Sequence, residues 1–294
     1  MKQILTLFVM LLVSGCFTVP VPVPVQRDLV LGNEASPQKA LVIGNGDYDF
    51  RSLRNTANDA VDIADELAGM NFHVIRKLDL NRKEMQTAIH EFVALLEKTP
   101  VEGRTAVFFF AGHGTHVENE NFLIPVNNNV IKRSQQLQYA AVNVKTEIVE
   151  KMETANENGV NLIVLDACRN NPFPTIEMGL DRGFAPVRVS KTGAKQPDKQ
   201  QTKAVKGTLI TYAADIGETT LDVSEVQDRN SVYTGHLLKV IKDAKKRTLV
   251  KLSSMFVEVQ RLVNLETGQE PWLTAELSDE ICMGSNITGI KQCK

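Results

Sequence analysis

Six short apolar runs alternate with segments of helical periodicity, and that alternation restricts the chain more than any other feature. The runs are Lys39–Asn45, Phe72–Ile75, Thr105–Ala111, Asn161–Asp166, Gly207–Ala213 and a last short one at Glu270–Thr274. Between them, Ala60, Ile63, Ala64 and Leu67 share one helix face, opened by Thr56 or Asn58 as cap and closed at Gly69. Met85, Ile89, Phe92, Val93 and Leu96 share another within Asn81–Lys98. Val144–Ala155, Val232–Lys242 and Leu249–Val263 read as further helices, and Gly114–Asn127 as a hairpin returning through Phe122-Leu123-Ile124-Pro125. Strands alternating with helices imply an α/β fold, a mostly parallel sheet covered on both faces. Ligand crevices of such sheets form at the C-terminal strand ends.

Two of these ends carry reactive side chains. Val107-Phe108-Phe109-Phe110-Ala111-Gly112 runs into His113-Gly114, and Leu162-Ile163-Val164-Leu165-Asp166-Ala167 runs into Cys168. Adjacent parallel strands would deliver an imidazole and a thiol to one rim, the pairing needed for nucleophilic catalysis. A histidine between glycines is also a common turn residue, and a lone thiol at a strand end is often an inert core residue. Each gains meaning from the other. His73, His90 and His236 lack such a setting, and His116 belongs with the hairpin.

The N-terminus reads as an export signal, residues 1–15. Lys2 precedes an apolar run, Ile4–Val13, which is too short to span a bilayer. Leu12-Val13-Ser14-Gly15-Cys16 resembles a bacterial lipobox, which makes Cys16 the expected lipidated residue. Residues 16–36 form a linker in which alternating Val and Pro favours polyproline II. The expected location is the bacterial cell envelope, lipid-anchored at the outer membrane and facing the periplasm. In that oxidising setting Cys282 and Cys293, in a polar tail spanning 279–294, are natural disulfide partners, which leaves Cys168 over. With 33 basic against 35 acidic residues there is no electrostatic footprint for nucleic acid.

Eight segments then occur in order: KALVIGNGDY, LRNTANDA, FFFAGHG, NFLIPVN, LIVLDACRNNPF, TLITYAADIGE, NSVYTGHL and EPWL. Together they make the chain resemble the caspase-like cysteine peptidases, closest to bacterial relatives of metacaspases and paracaspases, from about Lys39 to Leu277. Asp166 stands where the caspase signature has Gln, and Asn170 where it has Gly. The resemblance implies a three-layer α/β/α sandwich with a mostly parallel six-stranded sheet, spanning residues 37–278. It implies Cys168 as nucleophile, His113 as base and acid, and the backbone N–H groups of Gly114 and Cys168 as oxyanion donors. No third triad member is visible.

An aspartate two residues before the nucleophile faces the same side of the strand. In metacaspases and paracaspases it helps bind arginine or lysine, so the expected substrates are proteins or peptides with a basic residue before the scissile bond. Asp59, Asp215 and Glu218 are candidate further pocket acids, though an acid like Asp59 also suits a helix N-terminus. Arg54 complicates the pocket if it enters. The loop 182–206, rich in Lys, Gln, Gly and Pro, is a candidate self-cleavage region. No metal-ligand spacing is present and no cofactor is demanded; some metacaspases need calcium, for which no residues stand out. Two other readings remain open: an idle caspase-like scaffold that binds a partner, and amidase or transpeptidase chemistry on the same fold.

Overall fold

The computed structural model describes residues 25–117, 120–168, 206–213, 229–285 and 287–293, with 168 and 287 described through their backbone. In chain order the elements are β1 (Asp28–Gly32), β2 (Gln38–Gly44), α1 (Thr56–Gly69), β3 (His73–Leu78), α2 (Arg82–Lys98), β4 (Thr105–Val117) and β5 (Glu120–Leu123). There follow α3 (Leu137–Ala140), β6 (Val142–Asn143), a π-helical turn (Val144–Val149) continuous with α4 (Glu150–Ala155), β7 (Val160–Cys168) and β8 (Gly207–Tyr212). The chain closes with α5 (Val232–Ala244), β9 (Val250–Lys251), α6 (Leu252–Thr267), β10 (Trp272–Leu277), β11 (Ile281–Gly284) and β12 (Ile287–Gln292).

The main sheet runs β1-β3-β2-β4-β7-β8-β10. Its five inner strands are parallel, and β1 and β10 close the two edges antiparallel. With β5 and β6, which extend it beside the far end of β4, the sheet has nine strands. The expected six-stranded sheet is therefore too small. Edge strand β1 lies inside the stretch assigned to the linker. It half-buries Leu29 and Leu31 and leaves Val30 60% exposed, so it lacks the continuous apolar run that marks a buried parallel strand.

Strand alternation builds two cores. Ala40, Val42, Val107, Phe109, Leu162 and Val164 face α1, α5 and α6. Leu41, Ile43, Phe108, Phe110, Ile163 and Leu165 face α2 and α4. This is the three-layer sandwich. The buried face of α1 is the expected one, Ala60, Ile63, Ala64 and Leu67. Neither Thr56 nor Asn58 caps that helix; Asn55 holds the cap position, without a side-chain cap bond. Helix α2 starts with a capping box, in which Glu84 N–H donates to Asn81 Oδ1 at 3.1 Å and Asn81 N–H to Glu84 at 2.9 Å.

The described residues of the stretch 279–294 do not form a tail. β11 and β12 join β9 in a small sheet, and Ile281, Met283 and Ile290 complete the core beneath α6. The Gln38 side chain straps this hairpin to the main sheet, donating to the Thr288 carbonyl at 3.1 Å and accepting from Ile290 N–H at 3.0 Å. Gly289 lies under that amide with φ +78, and a Cβ there would sit 2.0 Å from Gln38 Oε1, so a side chain would be strained and would displace the strap. Cys282 and Cys293 are disulfide-bonded across a sequence separation of 11. A loop of that length should contribute about 3 kcal/mol by constraining the unfolded chain. Thermal unfolding of Cys293→Ser should show a correspondingly lower Tm, matched by wild type in reductant; equal Tm values would contradict this.

Candidate active site

Strand β4 is longer than its apolar run suggests. It carries His113 in the same strand as the core phenylalanines and continues to Val117. It pairs with β7 in parallel from Thr105↔Val160 through Ala111↔Asp166 to His113↔Cys168. The backbone positions of the imidazole and the thiol residue are therefore register partners at the C-terminal ends of adjacent strands. They lie beside the point where chain order reverses, since β2 leads to β3 on one side and to β4 on the other.

The imidazole is closely held. His113 is 2% exposed. Its Nε2 lies 2.8 Å from the Arg51 carbonyl oxygen, which accepts only, so Nε2 carries the proton and donates. The buried Nδ1, without a hydrogen-bond partner among the described residues, is then the basic nitrogen. Tyr48 packs on the ring at 4.5 Å between centroids, and Phe50 stacks at 5.6 Å. Burial pushes the His113 pKa down to about 4, opposed by the Arg51 carbonyl bond and reinforced by the Arg51 charge. At neutral pH the ring is uncharged. The Arg51 carbonyl orients the ring, and being backbone it has no sequence signature.

Backbone geometry around the histidine is equally defined. The Ala111 carbonyl accepts from Asn45 N–H at 2.8 Å, and two residues on the His113 carbonyl accepts from Ile124 N–H at 2.9 Å. Both point to the β2/β5 side. By the alternation of a strand, the Gly114 N–H points the other way, toward β7. His116 is buried in the β4–β5 hairpin opposite Asn121, as expected for a structural histidine.

Beside this rim lie two buried carboxylates. Asp166 is 5% exposed and Asp59 fully buried. Ser231, the N-cap of α5, joins them: its N–H donates to Asp59 Oδ1 at 3.0 Å and its hydroxyl to Asp166 Oδ2. Thr234 adds a second hydroxyl donor to Asp166 Oδ2 at 2.6 Å, and its N–H donates to Ser231 Oγ at 3.0 Å. Asp59 also lies in the first turn of α1, the position that the helix-acid reading gives it. Arg54 is exposed, unlike the two acids. Sequence reasoning missed Ser231 and Thr234, although a serine before an apolar helical run is a cap signal.

Cys16, Asp215, Glu218 and, of the loop 182–206, residues 182–205 lie outside the described residues. Among the described residues no group of three or more His, Cys, Asp or Glu is placed to hold a metal ion.

Comparison with known proteins adds two findings. The sequence model of the caspase domain matches residues 37–281. The mucosa-associated lymphoid tissue lymphoma translocation protein 1 of Homo sapiens is 30% identical over 136 residues, which cover 46% of this chain and 15% of that protein. Its homolog in Mus musculus matches to the same extent. The match thus spans a small part of these relatives' own length.

The geometry has a measurable consequence. An NMR titration should find the His113 ring protonating near pH 4, while the unfolded chain takes up that proton near 6.5. The folded state binds fewer protons between these values, so stability should fall as pH drops through them. A midpoint for His113 at the ordinary value would refute the buried, neutral base.

Proposed function

Since the chain belongs to the caspase-domain family, whose matched region covers residues 37–281, we propose that it is a cysteine endopeptidase that cleaves after Arg or Lys. The observation that carries this reading is the register pair His113↔Cys168 beside the carboxylates joined by Ser231.

The Cys168 thiol gives its proton to His113 Nδ1 as sulfur bonds to the substrate carbonyl carbon. The carbonyl oxygen gains negative charge, and the N–H groups of Gly114 and Cys168 are the donors for it. The C–N bond then breaks, and the imidazolium returns its proton to the leaving amine. Water attacks the thioester, passes a proton to His113, and the sulfur leaves and recovers it. A neutral imidazole at pH 7 suits the first step, and the Arg51 carbonyl keeps Nδ1 as the accepting nitrogen throughout.

Asp166 and Asp59 determine the substrate on this reading. Both are held by hydroxyl or backbone N–H donors before substrate arrives. A guanidinium meets carboxylates that are already oriented, and charge-assisted pairing of this kind is strong and geometrically selective. Asp215 and Glu218 are further acids for the same pocket. The loop 182–206 is proposed as a site of self-cleavage, and Cys16 as the lipid attachment that holds the enzyme at the bacterial envelope.

Fluorogenic peptides differing only in the residue before the scissile bond test the assignment. Arg and Lys peptides should be cleaved, and Asp peptides not. Cys168→Ala should abolish hydrolysis, and Asp166→Asn should lower kcat/KM for the Arg peptide by about 10–100-fold through loss of a charged partner. Activity that survives Cys168→Ala sinks the mechanism; faster cleavage after Asp sinks the specificity.

A further inference from the structure

Tyr48 occupies a position for which the proposed chemistry has so far supplied no role. It is 3% exposed and lies in the loop between β2 and α1. Its hydroxyl accepts the His113 backbone N–H at 2.9 Å and donates to the Ile124 carbonyl at 3.0 Å. Ile124 N–H in turn donates to the His113 carbonyl. In an ordinary antiparallel ladder His113 N–H and the Ile124 carbonyl would bond directly. Here the phenol hydroxyl bridges them, while the other bond of the pair, Ile124 N–H to the His113 carbonyl, stays at 2.9 Å.

The insertion is built, not incidental. A Cβ at residue 112 would lie 2.6 Å from the Tyr48 hydroxyl oxygen and 2.6 Å from Phe110 Cζ, so Gly112 is the residue that lets the phenol in. The loop that delivers Tyr48 is anchored at its start. Asn45 is fully buried, and its side chain exchanges hydrogen bonds with the backbone of Leu80 at 2.9 and 3.2 Å. The N–H groups of Gly46 and Asp47 both donate to Asp79 Oδ1, at 2.8 and 2.9 Å. Tyr48 thus reaches His113 from a fixed base, with its ring against the imidazole and its hydroxyl in the ladder.

Two peptide planes flank His113. The plane between Gly112 and His113 is oriented by Tyr48 through the His113 N–H. The plane between His113 and Gly114 carries the Gly114 N–H on one edge and, on the other, the His113 carbonyl held by Ile124. Tyr48 and Ile124 are bonded to each other, so one hydroxyl sets the spacing of both planes. We propose that Tyr48 is a positioning residue that holds His113 and the Gly114 N–H in register with Cys168. This rests on the Cys168–His113 reading above. The role acts on bond-making rather than on substrate capture, because the Tyr48 hydroxyl bonds to the β5 edge of β4, opposite the edge that pairs with the strand carrying Asp166.

The test compares Tyr48→Phe with a protein carrying 4-aminophenylalanine at position 48, whose amino group both donates and accepts. Steady-state kinetics on an Arg peptide are corrected for folded fraction by circular dichroism. Tyr48→Phe should lower kcat by about 10–100-fold, the scale of a misplaced catalytic group, with KM changed less than about threefold. The amino variant should recover most of kcat. Tyr48→Phe with wild-type kcat overturns the inference, and so does a folded amino variant as slow as Tyr48→Phe. A rise in KM at constant kcat overturns it as well, by moving Tyr48 to substrate binding. If Tyr48→Phe does not fold, the amino variant decides alone: kcat near wild type upholds the positioning role and a loss above tenfold ends it. Wild-type protein that hydrolyses nothing, or hydrolysis indifferent to Cys168→Ala, would remove the peptidase reading and this inference with it, an outcome recognisable before any Tyr48 variant is made.

Discussion

The pairing of β4 with β7 is the constraint on which the site depends. Along it, Phe108 and Phe110 fill one core while Val107 and Phe109 fill the other. A slip of one residue would carry every large side chain of a strand to the wrong face. Core packing therefore specifies the register from Thr105↔Val160 onward, and the last pair in that register is His113↔Cys168. The energy that aligns the two residues is burial of apolar surface well away from them. Little of it has to come from contacts at the rim, where a site needs room for substrate.

The second element of precision is the start of α5. A helix N-terminus presents unsatisfied N–H groups and a partial positive charge. Here the Ser231 cap holds two buried carboxylates, with Thr234 one turn on contributing its hydroxyl. Buried acids are costly unless hydrogen-bonded, and these bonds come from an element fixed by Val232, Leu237, Leu238 and Ile241 in the core. Arg229 adds an ion pair with Asp62 on α1 at 2.7 Å, tying the approach to α5 to the helix that carries Asp59. The two acids come from different layers of the sequence, α1 and β7, and meet because both pack against one helix end.

What was legible in the sequence follows from this division. His113, Cys168 and Asp166 could be read because apolar strands announce their own ends and a period of two relates neighbours within a strand. The face of α1 could be read from its helical spacing. Tyr48 stood in a quoted segment, yet nothing local reveals that its hydroxyl enters a ladder formed by residues 113 and 124. The Arg51 carbonyl has no residue identity to read. β1 was hidden by its half-exposed alternation and its closeness to the prolines. β11 and β12 were hidden because a short hairpin with exposed Lys291 looks like a tail until Ile281 and Ile290 are seen against the core. In each case the missing information was a long-range contact.

The imidazole and the acids are buried in different ways, and both kinds of burial occur within one rim. Neutrality of His113 comes from removing water: Tyr48, Phe50 and the Arg51 carbonyl enclose it, and the ring gives up its proton well below the ordinary histidine range. Asp59 and Asp166 are buried as deeply, but the start of α5 bonds to both: Ser231 N–H donates to Asp59, and the Ser231 and Thr234 hydroxyls donate to Asp166. A histidine placed beside an ionised carboxylate would instead be favoured as imidazolium. Acids placed in the aromatic enclosure would have lost those donors, and a buried acid without hydrogen bonds is costly. Separate enclosures, one aromatic and one hydroxyl-lined, let a neutral imidazole and two hydrogen-bonded acids share one rim of the sheet.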